Sequence, residues 1–392
     1  MTASPVLSIK RTCPYAPPQE HVQLQQEEPV ARVTLPDGSQ AWALSRLEDI
    51  RTMLTDPRFS SDRQRPEFPL LTPGPRIAVP GRPSLIGLDP PEHGEARRAV
   101  VGEFTVKRMN ALRPRIQQIV DDCLDEMLAG PRPVDLVPAL ALPVPSLVIC
   151  ELLGVPYADH EFFQTRSAKL LRRDTPPDER RAAVNEIREY MAALIGKKAT
   201  EPADDLLGRQ LAKGTDREDL VNLGFLLLLA GHETTANMIS LGTLMLLRQP
   251  EALAALKRDP GLTPQAVEEL LRYFTIAEFV TSRLATEDVE IGGVLIRAGE
   301  GVVSLGNVAN RDPAAFADPD AFDIERGARH HIAFGFGAHQ CLGQNLARLE
   351  LQIVFDSLFA RIPDLRLAAE PDELPFKDDA TVYGLYSLPV TW

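Results

Sequence analysis

Apolar residues recur at helical spacing along most of this chain. From His93 to about Thr200 the pattern is helical, and one predicted helix has an apolar face formed by Leu112, Ile116, Ile119, Cys123, Leu124 and Met127. Residues three and four apart share one side of a helix, so these positions predict a face that packs on the core. Cys123 is therefore expected to be a small core residue.

The apolar stretch from Val221 to Leu247 predicts a buried central helix. It is long enough to span a membrane, but His232 and Glu233 lie at its middle, and a carboxylate at bilayer depth is costly. Two further helices are predicted after it, because Pro250 opens one and Thr263-Pro264 caps and opens the next. We therefore expect a helical core and no membrane association.

Alternation of apolar and polar residues is confined to short stretches, which predict small sheets. Val30 to Leu35 and Gln40 to Leu44 alternate as strands do, and a helix is expected after them. Asp288 to Ile291 and Val294 to Ile296 flank the turn Gly292-Gly293, as in a hairpin. The last residues mix apolar and turn residues, as a terminal sheet would. The pattern predicts a mainly α fold with small peripheral β-sheets.

Residues 66–91 hold eight prolines, and they predict a long irregular loop because proline removes a backbone donor and fixes φ. Its apolar residues favour a loop folded over a pocket; they are Phe68, Leu70, Leu71, Ile77 and Val79. No internal repeat or low-complexity linker is visible. We therefore predict a single domain over residues 1–392, with residues 1–20 as an N-terminal extension that has no signal or transmembrane segment.

Charge and cysteine content narrow the classes of function. The 392 residues have a formal net charge of −13, so the chain is not expected to bind nucleic acid, which needs a basic surface. Cys13, Cys123, Cys150 and Cys341 share no CxxC spacing, which argues against a zinc knuckle, an iron–sulfur cluster or a disulfide framework. A reducing, cytoplasmic location fits this cysteine usage.

The most informative segment is FGFGAHQCLG, residues 334–343. Gly335, Gly337 and Gly343 surround Cys341, and glycine lets a backbone turn sharply and approach a flat ligand closely. A helix is predicted directly after the cysteine, and the free N–H groups at a helix N-terminus favour a thiolate. An anionic sulfur on a glycine-rich turn suits a haem iron. The alternative is a buried structural cysteine beside an ordinary turn.

With Phe334, Gly337, Cys341 and Gly343 in the register FxxGxxxCxG, this segment resembles the cysteine-ligand loop of the cytochrome P-450 family. The resemblance covers nearly the whole chain, and the segment looks most like soluble actinobacterial members. It implies a single-domain fold with haem b (iron protoporphyrin IX) between the central helix and the cysteine-ligand loop, and Cys341 as the axial ligand. The residues implied to contact the haem itself are Ala230, Phe334, Gly335 and Gly343.

A polar cluster, AGHETT at residues 230–235, lies within the apolar central helix. Unpaired polar groups in a buried helix cost roughly 1–3 kcal/mol each, so the cluster needs a reason. Thr234 can bond to the carbonyl one turn earlier and open a local bulge, and Gly231 removes a side chain from a surface that a cofactor would approach. The resemblance implies that Glu233 and Thr234 help deliver protons to dioxygen, although many relatives have Asp in place of Glu233. The alternative is a structural kink.

Glu269 and Arg272 are three residues apart on a predicted helix, so their side chains can pair on one face. Alone, this spacing is typical of a solvated surface pair. The resemblance implies a buried structural brace formed by Glu269, Arg272 and Arg326, which would hold the loop before the cysteine ligand.

Four basic residues match family positions that contact the haem propionates. His93 and Arg97 are spaced i, i+4 on one helix face, Arg283 opens the segment after the Glu269 helix, and His339 lies two residues before the cysteine. Two carboxylates are best met by Arg or His in charge-assisted hydrogen bonds of about 1.5–3 kcal/mol each. Alone, each of the four would be typical of a surface charge.

The resemblance also implies which residues contact substrate. Most of these positions are apolar, which favours a bulky hydrophobic substrate, although apolar residues there are equally expected of a plain core. The candidates are Leu226, Leu227, Ile276, Phe279, Val280, Val382 and Tyr383.

The resulting prediction is an NAD(P)H-dependent monooxygenase that inserts one atom of O2 into a hydrophobic small molecule, such as a polyketide or other secondary metabolite. The chain has no dinucleotide or flavin motif, so electrons are expected from a separate ferredoxin and ferredoxin reductase. The basic candidates for the partner site are Arg98, Lys107, Arg108, Arg113, Arg115 and Arg348. The alternatives are a haem-thiolate enzyme that uses peroxide or rearranges its substrate, and a non-catalytic haem sensor or carrier.

Overall fold

The computed structural model describes residues 4–71, 82–279 and 281–392, and helices dominate it. The α-helices are α1 (Gln19–Glu27), α2 (Leu47–Thr55), α3 (Glu92–Val101), α4 (Val106–Ala129), α5 (Pro143–Leu153), α6 (His160–Leu171), α7 (Pro177–Thr200), α8 (Leu206–Ala212), α9 (Arg217–Arg248), α10 (Pro250–Arg258), α11 (Thr263–Phe274), α12 (Gly306–Ala309) and α13 (Gln344–Arg361). The predicted central helix is α9. It begins where the Asp216 carboxylate accepts hydrogen bonds from the N–H groups of Glu218 and Asp219.

The strands are short and form small sheets. They are β1 (Val30–Thr34), β2 (Gln40–Leu44), β3 (Phe59–Ser60), β4 (Val134–Asp135), β5 (Arg283–Ala285), β6 (Val289–Ile291), β7 (Val294–Ile296), β8 (Gly301–Ser304), β9 (Arg366–Leu367) and β10 (Pro389–Thr391). One sheet has the order β1-β2-β8-β5-β3, a second has the order β4-β10-β9, and β6 pairs with β7 as the predicted hairpin.

Contacts group the chain into two compact units. The first unit comprises Met1–Arg97, Leu271–Phe322 and Ala328–Cys341, and the second comprises Arg98–Leu270, Asp323–Gly327 and Leu342–Trp392.

The first unit is built on the five-stranded sheet. Leu44, Ile50 and Val302 are fully buried in one of its apolar clusters. Arg283 begins β5 and pairs with Val302 of β8, so the sheet fixes the place of this arginine. Residues before α1 also pack here, since Leu7 is buried and donates its N–H to the carbonyl of Thr34 at 2.8 Å. The expected N-terminal extension is therefore attached to the sheet over its described part.

The second unit is a helical assembly around α9. Helices α5, α7 and α13 pack against α9, and α13 also packs against α4. The predicted apolar face of α4 is buried at Ile116, Ile119, Cys123, Leu124 and Met127. Burial of these side chains stabilises the unit by roughly 1.5–3 kcal/mol for each large residue.

The predicted fold class, mainly α with small peripheral sheets, is confirmed. The helical pattern predicted from His93 to about Thr200 is wrong at one point, where β4 lies. Residue Asp135 accepts hydrogen bonds from the N–H groups of Val137 and Leu388, and β4 pairs with β10. A pairing with a strand so distant in sequence has no local signal.

Part of the predicted loop, residues 72–81 with Ile77 and Val79, lies outside the described residues. No helix in the described ranges is both long enough and apolar enough to cross a membrane.

Candidate functional site

Cys341 ends a tight glycine-rich turn in the first unit. Its N–H donates to the carbonyl of Phe334 at 2.8 Å, and the N–H of Gln340 donates to Gly337 at 3.1 Å. Gly335 and Gly337 have φ of 71° and 69°, in the left-handed region that favours glycine. A Cβ at Gly337 would lie 2.6 Å from the carbonyl oxygen of Leu54, so α2 also requires glycine here.

The four cysteines differ in their exposure to solvent. Cys123 and Cys150 are buried, and burial raises the pKa of their thiols to about 11 and about 12, respectively. Both therefore stay protonated, and a thiol is a poor metal ligand. Cys341 is exposed at the end of the glycine-rich turn, while Cys13, the other exposed cysteine, has no such turn around it. Among the four, Cys341 is the one placed to bind an iron.

Four basic side chains, His93, Arg97, Arg283 and His339, form what we call the cationic cluster of the first unit. The rings of His93 and His339 stack with their centroids 3.7 Å apart. Arg97 donates to the carbonyl of Gln340 at 2.6 Å, next to Cys341. The turn that carries the cysteine is thus bound to this cluster through its own backbone.

The arginines of the cationic cluster, together with burial, disfavour the charged form of its histidines. Burial, together with His93, Arg283 and Arg97, lowers the pKa of His339 to about 3. Burial and a neighbouring arginine, Arg63, lower the pKa of Arg283 to about 10, against the opposing effect of Asp89. Burial and both cluster arginines also lower the pKa of His93. The two arginines are therefore the positive charges of the cluster and favour an anionic ligand, while the lowered pKa keeps both imidazoles neutral with one N–H each to donate.

The cluster fits the two propionates of a haem. His93 is 2% exposed, and its Nε2 is buried with no hydrogen-bond partner among the described residues. The carboxylate of Asp89, which acts on both His93 and Arg283, accepts hydrogen bonds from the Ser60 hydroxyl and the Ser61 N–H. An unpartnered imidazole nitrogen and two arginines beside the cysteine turn match a dianion in charge and in donors.

In the second unit, one face of α9 is accessible along an otherwise buried helix. Leu226 and Thr234 are partly exposed and Ala230 is exposed, whereas Leu227, Leu228 and most positions on either side are buried. The three residues are spaced four apart, so they share one face of the helix. This accessible face runs through the middle of the AGHETT segment, where a reacting molecule could meet the helix.

Thr234 donates from its hydroxyl to the carbonyl of Ala230 at 2.7 Å, as expected. The predicted local bulge is absent, since α9 is continuous from Arg217 to Arg248. A carbonyl oxygen has two lone pairs and can accept the hydroxyl without disturbing the helix. The prediction for Gly231 is also wrong: a Cβ there would lie 2.8 Å from Cδ1 of Ile149, so this glycine permits close packing of α5 on α9.

Glu233 is 6% exposed, and its carboxylate has a partner that the sequence did not indicate. Lys377 donates from Nζ to Glu233 Oε2 at 3.0 Å and to Asn237 Oδ1 at 2.9 Å. Asn237 had a signal, because it is polar and lies four residues after Glu233 in an apolar helix. Lys377 had none, because its partner is 144 residues away in the chain.

Glu269 lies in the second unit and is fully buried. Its Oε1 accepts the Nε–H of Arg326 at 3.2 Å and the N–H of Asp323 at 2.9 Å. In the first unit, Arg272 is also fully buried, and its guanidinium donates to the carbonyls of Asn310, Pro319 and Ala321 at 2.8–3.2 Å. Both residues are therefore deep in the protein, unlike a solvated surface pair.

The remaining candidates are distributed over both units. Gly343 is the N-cap of α13, and Phe334 and Gly335 are in the cysteine turn. The substrate-contact candidates Ile276, Phe279, Val382 and Tyr383 are buried, and Phe279 belongs to an apolar cluster with Val33 and Leu35. Val280 lies outside the described residues. Leu226 is thus the only apolar substrate candidate, among those described, with an accessible side chain.

The six basic candidates for a partner site fall into two groups. Arg108 pairs with Glu103, Arg115 with Glu151 and Arg348 with Glu268. The other three are exposed and form no ion pair with any described residue; they are Arg98, Lys107 and Arg113.

Comparison with known proteins gives closely similar chains. A family model described as Cytochrome P450 matches residues 261–362. Pentalenic acid synthase of Streptomyces avermitilis is 54% identical over 387 residues, which cover 97% of this chain and 96% of that protein.

Solved structures match over the whole chain. Cytochrome P450 MoxA of Nonomuraea recticatena has a TM-score of 0.92 and 57% identity, covering 100% of this chain and 99% of that one. The mycinamicin VIII methyl hydroxylase MycCI of Micromonospora griseorubida, solved with mycinamicin VIII bound, has a TM-score of 0.94 and 43% identity, covering 99% and 100%.

Proposed function

Since this chain belongs to the cytochrome P450 family, we propose that it inserts one oxygen atom of O2 into an apolar secondary metabolite, with electrons that originate from NAD(P)H. The assignment to P450 monooxygenases follows from its relatives, and the family implies a haem with a cysteine thiolate. We propose the substrate class, the electron donors and the roles of individual residues.

In this proposal, the first unit holds the haem. Cys341 would supply a thiolate ligand to haem b, and His93, Arg97, Arg283 and His339 of the cationic cluster would bind the propionates. Haem held by a thiolate supplies the electron density that favours cleavage of the O–O bond. The turn at Gly335 and Gly337 keeps the sulfur in place. Its backbone is fixed because the N–H of Cys341 donates to the carbonyl of Phe334 and the N–H of Gln340 donates to the carbonyl of Gly337.

Proton delivery is assigned to Glu233 and Thr234 on α9. The observation that supports it is the accessible face of this helix, where the Thr234 hydroxyl is partly exposed beside a buried acid. In an otherwise apolar helix, an acid and an alcohol placed together provide a group that exchanges protons and a hydroxyl that passes them on. Ala230 leaves room beside the hydroxyl, since its side chain is one methyl group.

The substrate class rests on the accessible apolar face and on relatives. Leu226 and Ala230 offer an apolar surface, which suits a hydrophobic molecule. One relative is named for pentalenic acid and another hydroxylates a mycinamicin. We propose a polyketide or another secondary metabolite for this chain as well.

Electrons are proposed to come from a ferredoxin and its reductase, in the cytoplasm. Exposed Arg98, Lys107 and Arg113 support this, because cations that form no ion pair with a described residue can meet the acidic surface of a ferredoxin.

Substitution of Thr234 by Ala tests the assignment. 7-Ethoxycoumarin is a suitable probe because it carries no hydroxyl group that could replace that of threonine. With a plant-type ferredoxin and its reductase, Thr234→Ala should keep its haem spectrum and its affinity for the probe. NAD(P)H consumption should persist while product per NAD(P)H falls about 10-fold or more and hydrogen peroxide rises in step.

Glu233→Gln should instead slow product formation and NAD(P)H consumption together, because it keeps the shape and removes the proton-exchanging group. A Thr234→Ala protein that couples NAD(P)H to product as tightly as the parent would contradict the proton-delivery role. Turnover of the parent with hydrogen peroxide but not with NAD(P)H would favour a peroxide-using enzyme.

A further inference from the structure

We propose that Lys377 is a positioning residue for Glu233: it holds the carboxylate by Oε2 and leaves Oε1 as the atom that exchanges protons. This inference deepens the proposed function and rests on it. All of its residues lie in the second unit.

Lys377, in the segment that follows α13, bridges Glu233 and Asn237 on one face of α9. Lys377 Nζ lies 3.0 Å from Glu233 Oε2 and 2.9 Å from Asn237 Oδ1, and the two acceptors are one helical turn apart. The side chain of Lys377 is 13% exposed and that of Glu233 is 8% exposed. An ion pair so shielded from water is screened much less than a surface pair, so it can fix the conformation of the acid.

Backbone contacts fix the position of Lys377. The N–H of Lys377 donates to the carbonyl of Gly384 at 2.9 Å, and Phe376 forms a β-bridge with Leu385. A Cβ at Gly384 would collide with the side chain of Asn237, so glycine is required where this segment passes α9. The segment that carries the ammonium thus also packs closely against the Asn237 amide that accepts from it.

The bridge makes the two carboxylate oxygens unequal. Oε2 accepts from Lys377, whereas no described residue donates a hydrogen bond to Oε1. An ammonium has donors and no lone pair, so it can orient the carboxylate without competing for its second oxygen. A glutamate held in one rotamer meets a proton donor in one geometry, and correct placement of a reacting group accounts for a large part of a catalysed rate.

A second buried lysine pair of the same unit shows the contrast. Lys198 pairs with Asp205 and also donates to the carbonyl of Gly154 at 3.1 Å. The other carboxylate oxygen of Asp205 accepts the N–H of Gly208 at 2.9 Å at the start of α8. Both oxygens of Asp205 are therefore engaged in structural hydrogen bonds, and this pair is a matched control.

The experiment compares Lys377→Met, Lys377→Arg and Lys198→Met in the haem-loaded protein. The readouts are turnover of 7-ethoxycoumarin, product per NAD(P)H and the solvent kinetic isotope effect on turnover. Lys377→Met should keep its haem and bind the probe as the parent does, lose about 3- to about 30-fold in turnover and change the isotope effect. Lys377→Arg should recover most of the turnover, because it restores a cationic donor.

Lys198→Met should unfold more easily but keep the parent's coupling and isotope effect. The double variant Glu233→Gln with Lys377→Met gives the sharpest result. If Lys377 acts through Glu233, the double variant should be no slower than Glu233→Gln alone. Multiplicative losses, or an unchanged isotope effect in Lys377→Met, would overturn the positioning role.

Thr234→Ala in the same assay separates this inference from the proposed function. If Thr234→Ala loses coupling while Lys377→Met behaves as the parent, the positioning role fails and the proton-delivery role stands. If Thr234→Ala and Glu233→Gln both behave as the parent, the proton-delivery role fails and the role of Lys377 fails with it.

Discussion

The cationic cluster and the Glu269–Arg326 pair are two buried groups of charges that are completed in opposite ways. Glu269 accepts hydrogen bonds from both the Arg326 guanidinium and the Asp323 N–H, so its charge is matched by the protein itself. In the cationic cluster, both arginines lower the pKa of His93 and of His339, and Asp89 is the carboxylate that opposes the lowering of the pKa of His93 and Arg283.

Whether the protein itself matches a buried charge distinguishes a structural charge from one that binds a ligand. A buried charge matched within the protein stabilises the fold only while both partners remain. Buried charges of one sign destabilise the fold until an ion of the other sign binds. Substitutions in the two groups of charges should therefore have different effects on stability and on haem binding.

Cys341→Ala should abolish haem-thiolate ligation, because the exposed sulfur at the end of the cysteine turn is the proposed ligand. The long-wavelength absorption band that the reduced P450 forms with carbon monoxide should disappear completely. Cys13, Cys123 and Cys150, replaced singly by Ala, should each keep the band. A band that survives in Cys341→Ala would place the ligand elsewhere.

Glu269→Ala should lower the free energy of unfolding by about 3–5 kcal/mol, because it leaves the buried Arg326 without its carboxylate. Urea unfolding of the haem-loaded and haem-depleted proteins measures it, and both should be destabilised. Arg115→Gln is the control, because it breaks an exposed pair with Glu151 and should cost less than about 1 kcal/mol. Equal costs for the two variants would contradict a matched buried pair.

Arg283→Gln should weaken haem binding without destabilising the haem-depleted protein, whereas Glu269→Ala should destabilise the protein with or without haem. Arg283→Gln removes one charge-assisted hydrogen bond to a propionate, about 1.5–3 kcal/mol, so haem should transfer to an apo-globin acceptor about 10- to about 150-fold faster. The haem-depleted protein should not be destabilised by loss of charge, because the variant removes a like charge that lowers the pKa of His93 and His339. A large loss of stability without haem would show that Arg283 is structural.

The sequence predicts the motif-based parts of the site well, because each motif is local. The glycine turn before Cys341, the back-bond of Thr234 and the i, i+4 spacing of His93 and Arg97 all follow from residues close together in the chain. The family resemblance adds the order of these motifs and thereby the fold class, which is confirmed.

Three of the missed features depend on contacts between distant segments. Strand β4 exists because it pairs with β10, Gly231 is a glycine because Ile149 packs against it, and Lys377 reaches Glu233 from the C-terminal segment. Local pattern cannot indicate any of the three, since each partner is many residues away. The bulge that we expected in α9 is a smaller error. The carbonyl of Ala230 accepts the Thr234 hydroxyl, and the helix stays intact.

The smallest expected effect extends the same distinction between matched and unmatched charges to the surface. Lys107 and Arg113 are exposed and form no ion pair with the described residues, whereas Arg115 pairs with Glu151 at 3.2 Å. An unmatched cation can attract an acidic ferredoxin, while a matched one contributes a weaker field. Lys107→Gln and Arg113→Gln should each slow haem reduction by ferredoxin about 2- to 5-fold at low salt, measured by stopped flow. The effect should disappear near 1 M salt, where charges are screened beyond about 3 Å, and Arg115→Gln should reduce at nearly the parent rate. If Arg115→Gln slows reduction as much as Lys107→Gln does, pairing within the protein does not decide which cations the partner uses.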